Sequence, residues 1–197
     1  MALCQDPGLE RFGYLHFATH AVIDGVQPLR SALILRSTGT ANPIAPIVGG
    51  GPVVDGRVTA EQIRRTWRLD ADLVVLSACR SGMGENLGGE GFLGFSQALL
   101  SAGARTLMLS LWRVDDRATA LLMGRFYHEL FIEGEDKGSA LRGAQEWLRT
   151  IPARWSADLD RVPLEEIVAR DAPESAAADA PFRHPYYWAA FILVGAK

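Results

Sequence analysis

The segment Asp72-Leu-Val-Val-Leu-Ser77 constrains this chain more than any other. It is short, β-branched and apolar without a break, and a strand of that kind has to be covered on both faces, as in a parallel sheet. Other short apolar runs alternate with stretches of helical periodicity, the pattern of an α/β domain with a mostly parallel central sheet. Tyr14-Leu-His-Phe-Ala-Thr19 is expected as the first strand, closed by His20, and Ala32-Leu-Ile-Leu35 as the second. Ser37 to Gly56 is rich in Gly, Pro and Thr and reads as loop or hairpin. Thr59 has the character of an N-cap for a short helix through Arg65. After the 72–77 strand, Phe92 to Ala102 has helical spacing and Gly103 a helix stop. Arg105 to Leu111 reads as another strand.

Farther along, Asp115 or Asp116 is expected to cap a helix from Ala118 to Phe131, with Leu121, Leu122, Phe126, Tyr127 and Leu130 on its apolar face. A further helix is expected from Gly138 to Leu148. Trp155 to Pro185 reads as loop with a helical patch near Leu164 to Ala169, and Tyr186 to Val194 as the last strand.

With 197 residues, 48% of them apolar and 22% charged, the chain is long enough for one domain spanning 1–197 with a substantial core. A strand beginning so close to Met1 is abrupt, so the chain is also compatible with being a fragment of a longer multidomain protein. A net charge of −3 provides no broad attraction to nucleic acid or anionic lipid. No apolar run is long enough to span a bilayer, and the first residues lack the features of a secretory signal. Two cysteines, Cys4 and Cys79, make a poor disulfide framework, so a reducing, cytoplasmic setting is expected.

Reactive groups in open parallel sheets gather at the carboxyl ends of strands. His20 and Cys79 are both expected there, on the same edge. A thiol so placed can attack a carbonyl if a base is within reach, with backbone N–H groups near Ala21, Arg80 or Gly82 holding the oxyanion. Taken singly, a cysteine at a strand end is more often a small core residue, and a histidine a structural donor. Zinc is rejected: His16 and His20, four apart in a strand, would be about 13 Å apart, too far for one ion. His16 is expected to be buried and hydrogen-bonded near the site, and Cys4 incidental. The glycine-rich stretch from Gly82 to Gly91 lacks the Gly-Lys-Ser/Thr ending of a phosphate loop and reads as a loop over the cleft. No cofactor is expected. Asp24 is a candidate for orienting His20, against the blander reading of a turn residue. Asp115 and Asp116 are candidates for lining the cleft, against that of helix caps.

The strings HFATHAVID, PLRSALIL, LDADLVVLSACRSG, GEGFLGFSQALLSAGARTLMLSLWRVDDRATALLMGRFYHEL, KGSALRGAQEWLR and HPYYWAAFILVG, in this order, resemble the CHAT domain family, bacterial relatives of caspases and separases in clan CD. The resemblance implies a caspase-like three-layer α/β sandwich and a Cys–His dyad. The second histidine of HFATH, His20, matches the catalytic histidine, and the cysteine of SAC, Cys79, the nucleophile. The two are 59 residues apart, near the spacing of the caspase signature. Ser77 stands where caspases carry Gln, Ser81 precedes the glycine, and Ala21 replaces a Gly, so caspase specificity for Asp does not transfer. The resemblance further implies a cysteine endopeptidase acting on a protein or peptide substrate in regulated limited proteolysis, controlled by a sensor module such as tetratricopeptide repeats. Bacterial defence or programmed cell death would be the setting. The alternative is a catalytically idle caspase-like scaffold or sensor-coupled interaction module.

Overall fold

The computed structural model describes residues 8–35, 56–77, 79–80, 90–173 and 178–195, with the backbone alone at 79–80 and 90–92. The chain forms two compact units, residues 1–111 with 193–196, and residues 112–192 with 197. The Ser37–Gly56 loop and Cys4 lie essentially outside the described residues. No helix among those described is long and apolar enough to cross a membrane.

The first unit is α/β. Its central sheet has the order β1-β5-β7-β8, from β1 (Tyr14–Phe17), β5 (Leu73–Leu76), β7 (Thr106–Ser110) and β8 (Phe191–Gly195). The β1–β5 and β5–β7 pairs are parallel. Every residue of β5 and β7 is buried: β5 is apolar throughout, and β7 has apolar Leu107, Met108 and Leu109 between buried Thr106 and Ser110. β1 stands at the end of the order, and its residues alternate between exposed and half-buried. A second sheet has the order β4-β3-β2-β6, built from β2 (His20–Val22), β3 (Ala32–Ile34), β4 (Arg57–Thr59) and β6 (Cys79–Arg80).

The expected first strand is therefore two strands. Its ladder breaks at Ala18 and Thr19, where the Thr19 hydroxyl donates to the Ile34 carbonyl and draws the chain toward the antiparallel β2–β3 pair. The expected strand over 32–35 is β3. Its partner β4 was hidden in sequence by the Gly/Pro-rich stretch before it.

Helix α1 (Ala60–Thr66) starts from Thr59 as expected, with a reciprocal capping box: the Gln62 N–H donates to the Thr59 hydroxyl at 3.1 Å, and the Thr59 N–H to Gln62 Oε1 at 2.8 Å. Helix α2 (Glu90–Ala102) packs on it, burying Phe95, Ala98 and Leu99. Trp67, fully buried, stacks on Phe17 with ring centroids 5.6 Å apart. At the end of α2, Gly103 has φ +116°, and the Leu69 N–H donates to the Ala102 carbonyl at 2.7 Å. A Cβ at Gly103 would lie 2.0 Å from the Leu69 carbonyl oxygen, so only glycine fits.

The second unit is helical, with α3 (Asp116–Phe131), α4 (Lys137–Thr150), α5 (Ala153–Asp158) and α6 (Leu164–Val168). Asp115 caps α3 and Asp136 caps α4, each through its carboxylate to two backbone N–H groups. On α3, Leu121, Leu122 and Phe126 are buried as the periodicity implies, while Tyr127 and Leu130 are half-buried. Arg125 pairs with Glu129 at 2.6 Å, donates to the Val168 carbonyl at 2.7 Å, and lies over the Trp147 ring. Trp147 Nε1 donates to the Arg170 carbonyl at 2.9 Å.

Two expectations about the C-terminal part of the chain are corrected. The stretch from Trp155 holds the last residues of α5 (Ala153–Asp158) as well as the foreseen α6. The last strand does not run from Tyr186: Pro185–Tyr187 is a 3-10 turn, and β8 begins only at Phe191. Pro185 sets the turn's φ, His184 Nδ1 accepts from the Tyr186 N–H at 3.1 Å, and Trp112 Nε1 donates to the Tyr186 carbonyl at 2.9 Å. Those bonds outweigh the β-propensity of the aromatic run.

Gly103→Ala should lower stability by about 2 kcal/mol or more, combining a strained φ with the clash on Leu69. Thermal or denaturant unfolding of the purified chain checks it.

Candidate active site

His20 and Cys79 occupy the same rung of a parallel ladder. In β1 and β5, Tyr14 is opposite Leu73 and Phe17 opposite Leu76; past the break, His20 is opposite Cys79 and Ala21 opposite Arg80. The offset of 59 residues is the same on both sides, so both chains leave the central sheet together and pair again without a slip. Backbones at one rung are about 4.8 Å apart. The two residues open β2 and β6 rather than closing the longer strands as the sequence suggested.

His20 is exposed at the start of β2 and is also opposite Ile34 in the antiparallel pair with β3. Ala21 is buried between Leu33 and Arg80 at the next rung. Gly82 lies outside the described residues, and Arg80 is placed by its backbone alone.

His16 sits two residues before the break, where its Nε2 and Ser77 Oγ share a hydrogen bond of 2.9 Å. The Ser77 N–H donates to the Phe17 carbonyl at 3.2 Å, so side chain and backbone both tie β1 to β5 just below the His20–Cys79 rung. The expectation that His16 is buried is corrected: it is exposed by surface area, because β1 buries Leu15 and Phe17 more than the face carrying Tyr14 and His16. Enough protein packs around the imidazole for desolvation to lower its pKa below 6.5. Sequence reasoning noted Ser77 only as a departure from caspases and gave Thr19 no role, because what each does depends on partners 61 and 15 residues away.

Asp24 follows β2 in a turn. Its Oδ1 accepts from the Val26 N–H at 3.0 Å and the Gln27 N–H at 2.8 Å, and its own N–H donates to Ser31 Oγ at 3.0 Å. The backbone donors at Gln27 and Val26 hold its carboxyl below the usual carboxylate range. The carboxylate is thus occupied in shaping the turn.

Asp115 and Asp116 belong to the second unit, at the start of α3. There they line a polar depression of about 360 Å³ with Arg113, Val114, Tyr186 and Tyr187. Asp115 Oδ1 accepts from the Arg117 and Ala118 N–H groups, both at 3.0 Å. The described residues hold no cluster of three or more His, Cys, Asp or Glu side chains able to bind a metal.

An α/β unit with a mostly parallel central sheet and a histidine and a cysteine on one rung beyond it defines a caspase-like fold class. The CHAT domain family model matches residues 3–196, and the chain belongs to that caspase-like, protease-related family. No curated protein matches it by sequence.

Because the folded imidazole of His16 titrates below the unfolded one, neutral His16 contributes its full stability above pH 6.5, and that contribution is lost as pH falls below it through the folded pKa. The stability advantage of wild type over His16→Gln should therefore shrink between about pH 7.5 and about pH 5.5. Paired thermal melts across that range check this; an advantage that grew on acidification would contradict it.

Proposed function

We propose that this domain is a cysteine endopeptidase that works through a Cys79–His20 dyad. The observation that supports this reading most is the shared rung, which sets the two residues opposite each other although 59 residues separate them in sequence. In the proposed reaction the Cys79 thiolate attacks the scissile carbonyl carbon, and a C–S bond forms while the carbonyl oxygen takes up negative charge. Backbone N–H groups around Ala21, Arg80 and Gly82 are the candidate donors to that oxyanion. His20, protonated, gives its proton to the leaving amine as the C–N bond breaks. The neutral imidazole then takes a proton from water, which attacks the thioester; the C–S bond breaks, the acid leaves, and the Cys79 thiolate and protonated His20 are restored.

His16 and Ser77 would serve as struts, joining the two strands just before they deliver His20 and Cys79. Asp24 acts in this reading through the turn it shapes. Membership of a protease-related family supports a peptidase role. Control by an attached sensor module, limited cleavage of a partner protein, a cytoplasmic bacterial setting, and a part in defence or programmed cell death extend the same proposal.

The test is covalent labelling read by intact mass and peptide mapping. Wild type, Cys79→Ala and His20→Ala would be treated with iodoacetamide and a panel of peptide acyloxymethyl ketones. Cys79 should label faster than Cys4 by at least about tenfold, with a preference among peptide side chains. Labelling should vanish in Cys79→Ala and slow in His20→Ala. A Cys79 no more reactive than Cys4 would sink the peptidase reading in favour of an idle scaffold.

A further inference from the structure

The ladder that carries the two reacting residues is very short. β2 has three residues and β6 two, and pairing of that length is marginal unless something holds both chains from outside. The clamp on the histidine side is the turn after β2. Asp24 closes it through Val26 and Gln27, the Arg30 N–H donates to the Gln27 carbonyl at 2.8 Å, and the Ser31 N–H donates to the Pro28 carbonyl at 3.1 Å. Ser31 is fully buried, and its carbonyl accepts from Ala60 at the start of α1. On the cysteine side the next described element along the chain is α2, which begins at Glu90 and is anchored by buried Phe95, Ala98 and Leu99.

These two pieces meet backbone to backbone. A Cβ at Gly94 would lie 2.0 Å from the Pro28 carbonyl oxygen, 2.5 Å from its carbonyl carbon and 3.1 Å from its Cβ. Neither of the closest atoms belongs to a side chain that could swing away. Even the smallest side chain at position 94 must push the turn and the helix apart.

We propose that the close approach of Gly94 to Pro28 is a positioning lock: it holds the helix downstream of Cys79 against the turn downstream of His20, and so fixes the relation of the two reacting residues. The proposal rests on the Cys–His reading above. Gly94 and Asp24 are then positioning residues, acting through His20 and Cys79 without touching substrate. Asp24 contributes the shape of the turn, which its carboxylate oxygen sets by accepting two N–H groups, and its charge is dispensable.

The experiment is the pH dependence of iodoacetamide alkylation at Cys79 in the whole chain, with thermal melts of each variant. Wild type should show a reactive limb below the ordinary thiol pKa of about 8.5 that His20→Ala lacks. Gly94→Ala should lose that limb, falling roughly 10- to 100-fold in rate at neutral pH toward His20→Ala while remaining folded. Gly103→Ala is the matched control. It makes an equally close contact at the other end of the same helix, with a strained φ added, so it should lower the melting temperature yet keep the wild-type limb.

If Gly94→Ala does not fold, Asp24→Ala decides: it should weaken the limb, and Asp24→Asn, whose amide oxygen still accepts both N–H groups, should restore it. A folded Gly94→Ala with the wild-type profile overturns the lock, as does a Gly103→Ala that loses the limb equally. With Gly94→Ala unfolded, an Asp24→Ala that keeps the limb overturns it too. A wild type whose profile equals that of His20→Ala removes the Cys–His reading, and the lock with it.

Discussion

Everything at the candidate site depends on the parallel register between the chain entering at Tyr14 and the chain entering at Leu73. That register is fixed in the central sheet, where β5 is buried along its whole length and paired on both sides. Moving β5 by one residue would carry Asp72 or Ser77 into a fully buried rung, so the burial of Leu73 to Leu76 makes a slip costly. Because the offset persists across the break, the energy that sets the register comes from hydrophobic burial in β1, β5 and β7, while its consequence is seen at His20 and Cys79. Order at the exposed end of the sheet is inherited from its dry middle.

The break itself changes the surroundings of the chain. At Ala18 and Thr19 the chain leaves a two-sided parallel sheet and joins an antiparallel hairpin, with Thr19 supplying the bond to Ile34 that the ladder gives up. His20 thereby becomes exposed while its neighbour Ala21 stays buried, a combination suited to a group that must meet a substrate but be held in place. In the second unit the same economy appears around Arg125. One guanidinium joins Glu129, two backbone carbonyls and the Trp147 ring, so that the charge of a half-buried residue is compensated from several sides at once.

Much of this was legible in the order of residues. The buried strands at 73–76 and 106–110, the helices and their caps at Thr59 and Asp115, and the Gly103 stop all depend on local periodicity and on side chains that bond within a turn of themselves. His20 and Cys79 could be singled out because a parallel sheet brings strand ends together, and the density of CHAT-like strings supported the same pair. What was not legible depended on distant partners. The aromatic run at 186–188 has strand propensity, yet Pro185, His184 and Trp112 hold it in a turn. The edge position of β1 left His16 exposed, although its string looks like core.

The sequence by itself determined the α/β class and the family, and singled out His20 and Cys79 as candidates, because periodicity, capping and strand composition act over a few residues. Only the tertiary structure decided that those two residues share a rung, that Ser77 meets His16, and that Gly94 must be glycine. Each of these is a contact between segments dozens of residues apart. Its geometry is set by packing of the whole unit, and no local preference of the chain encodes it.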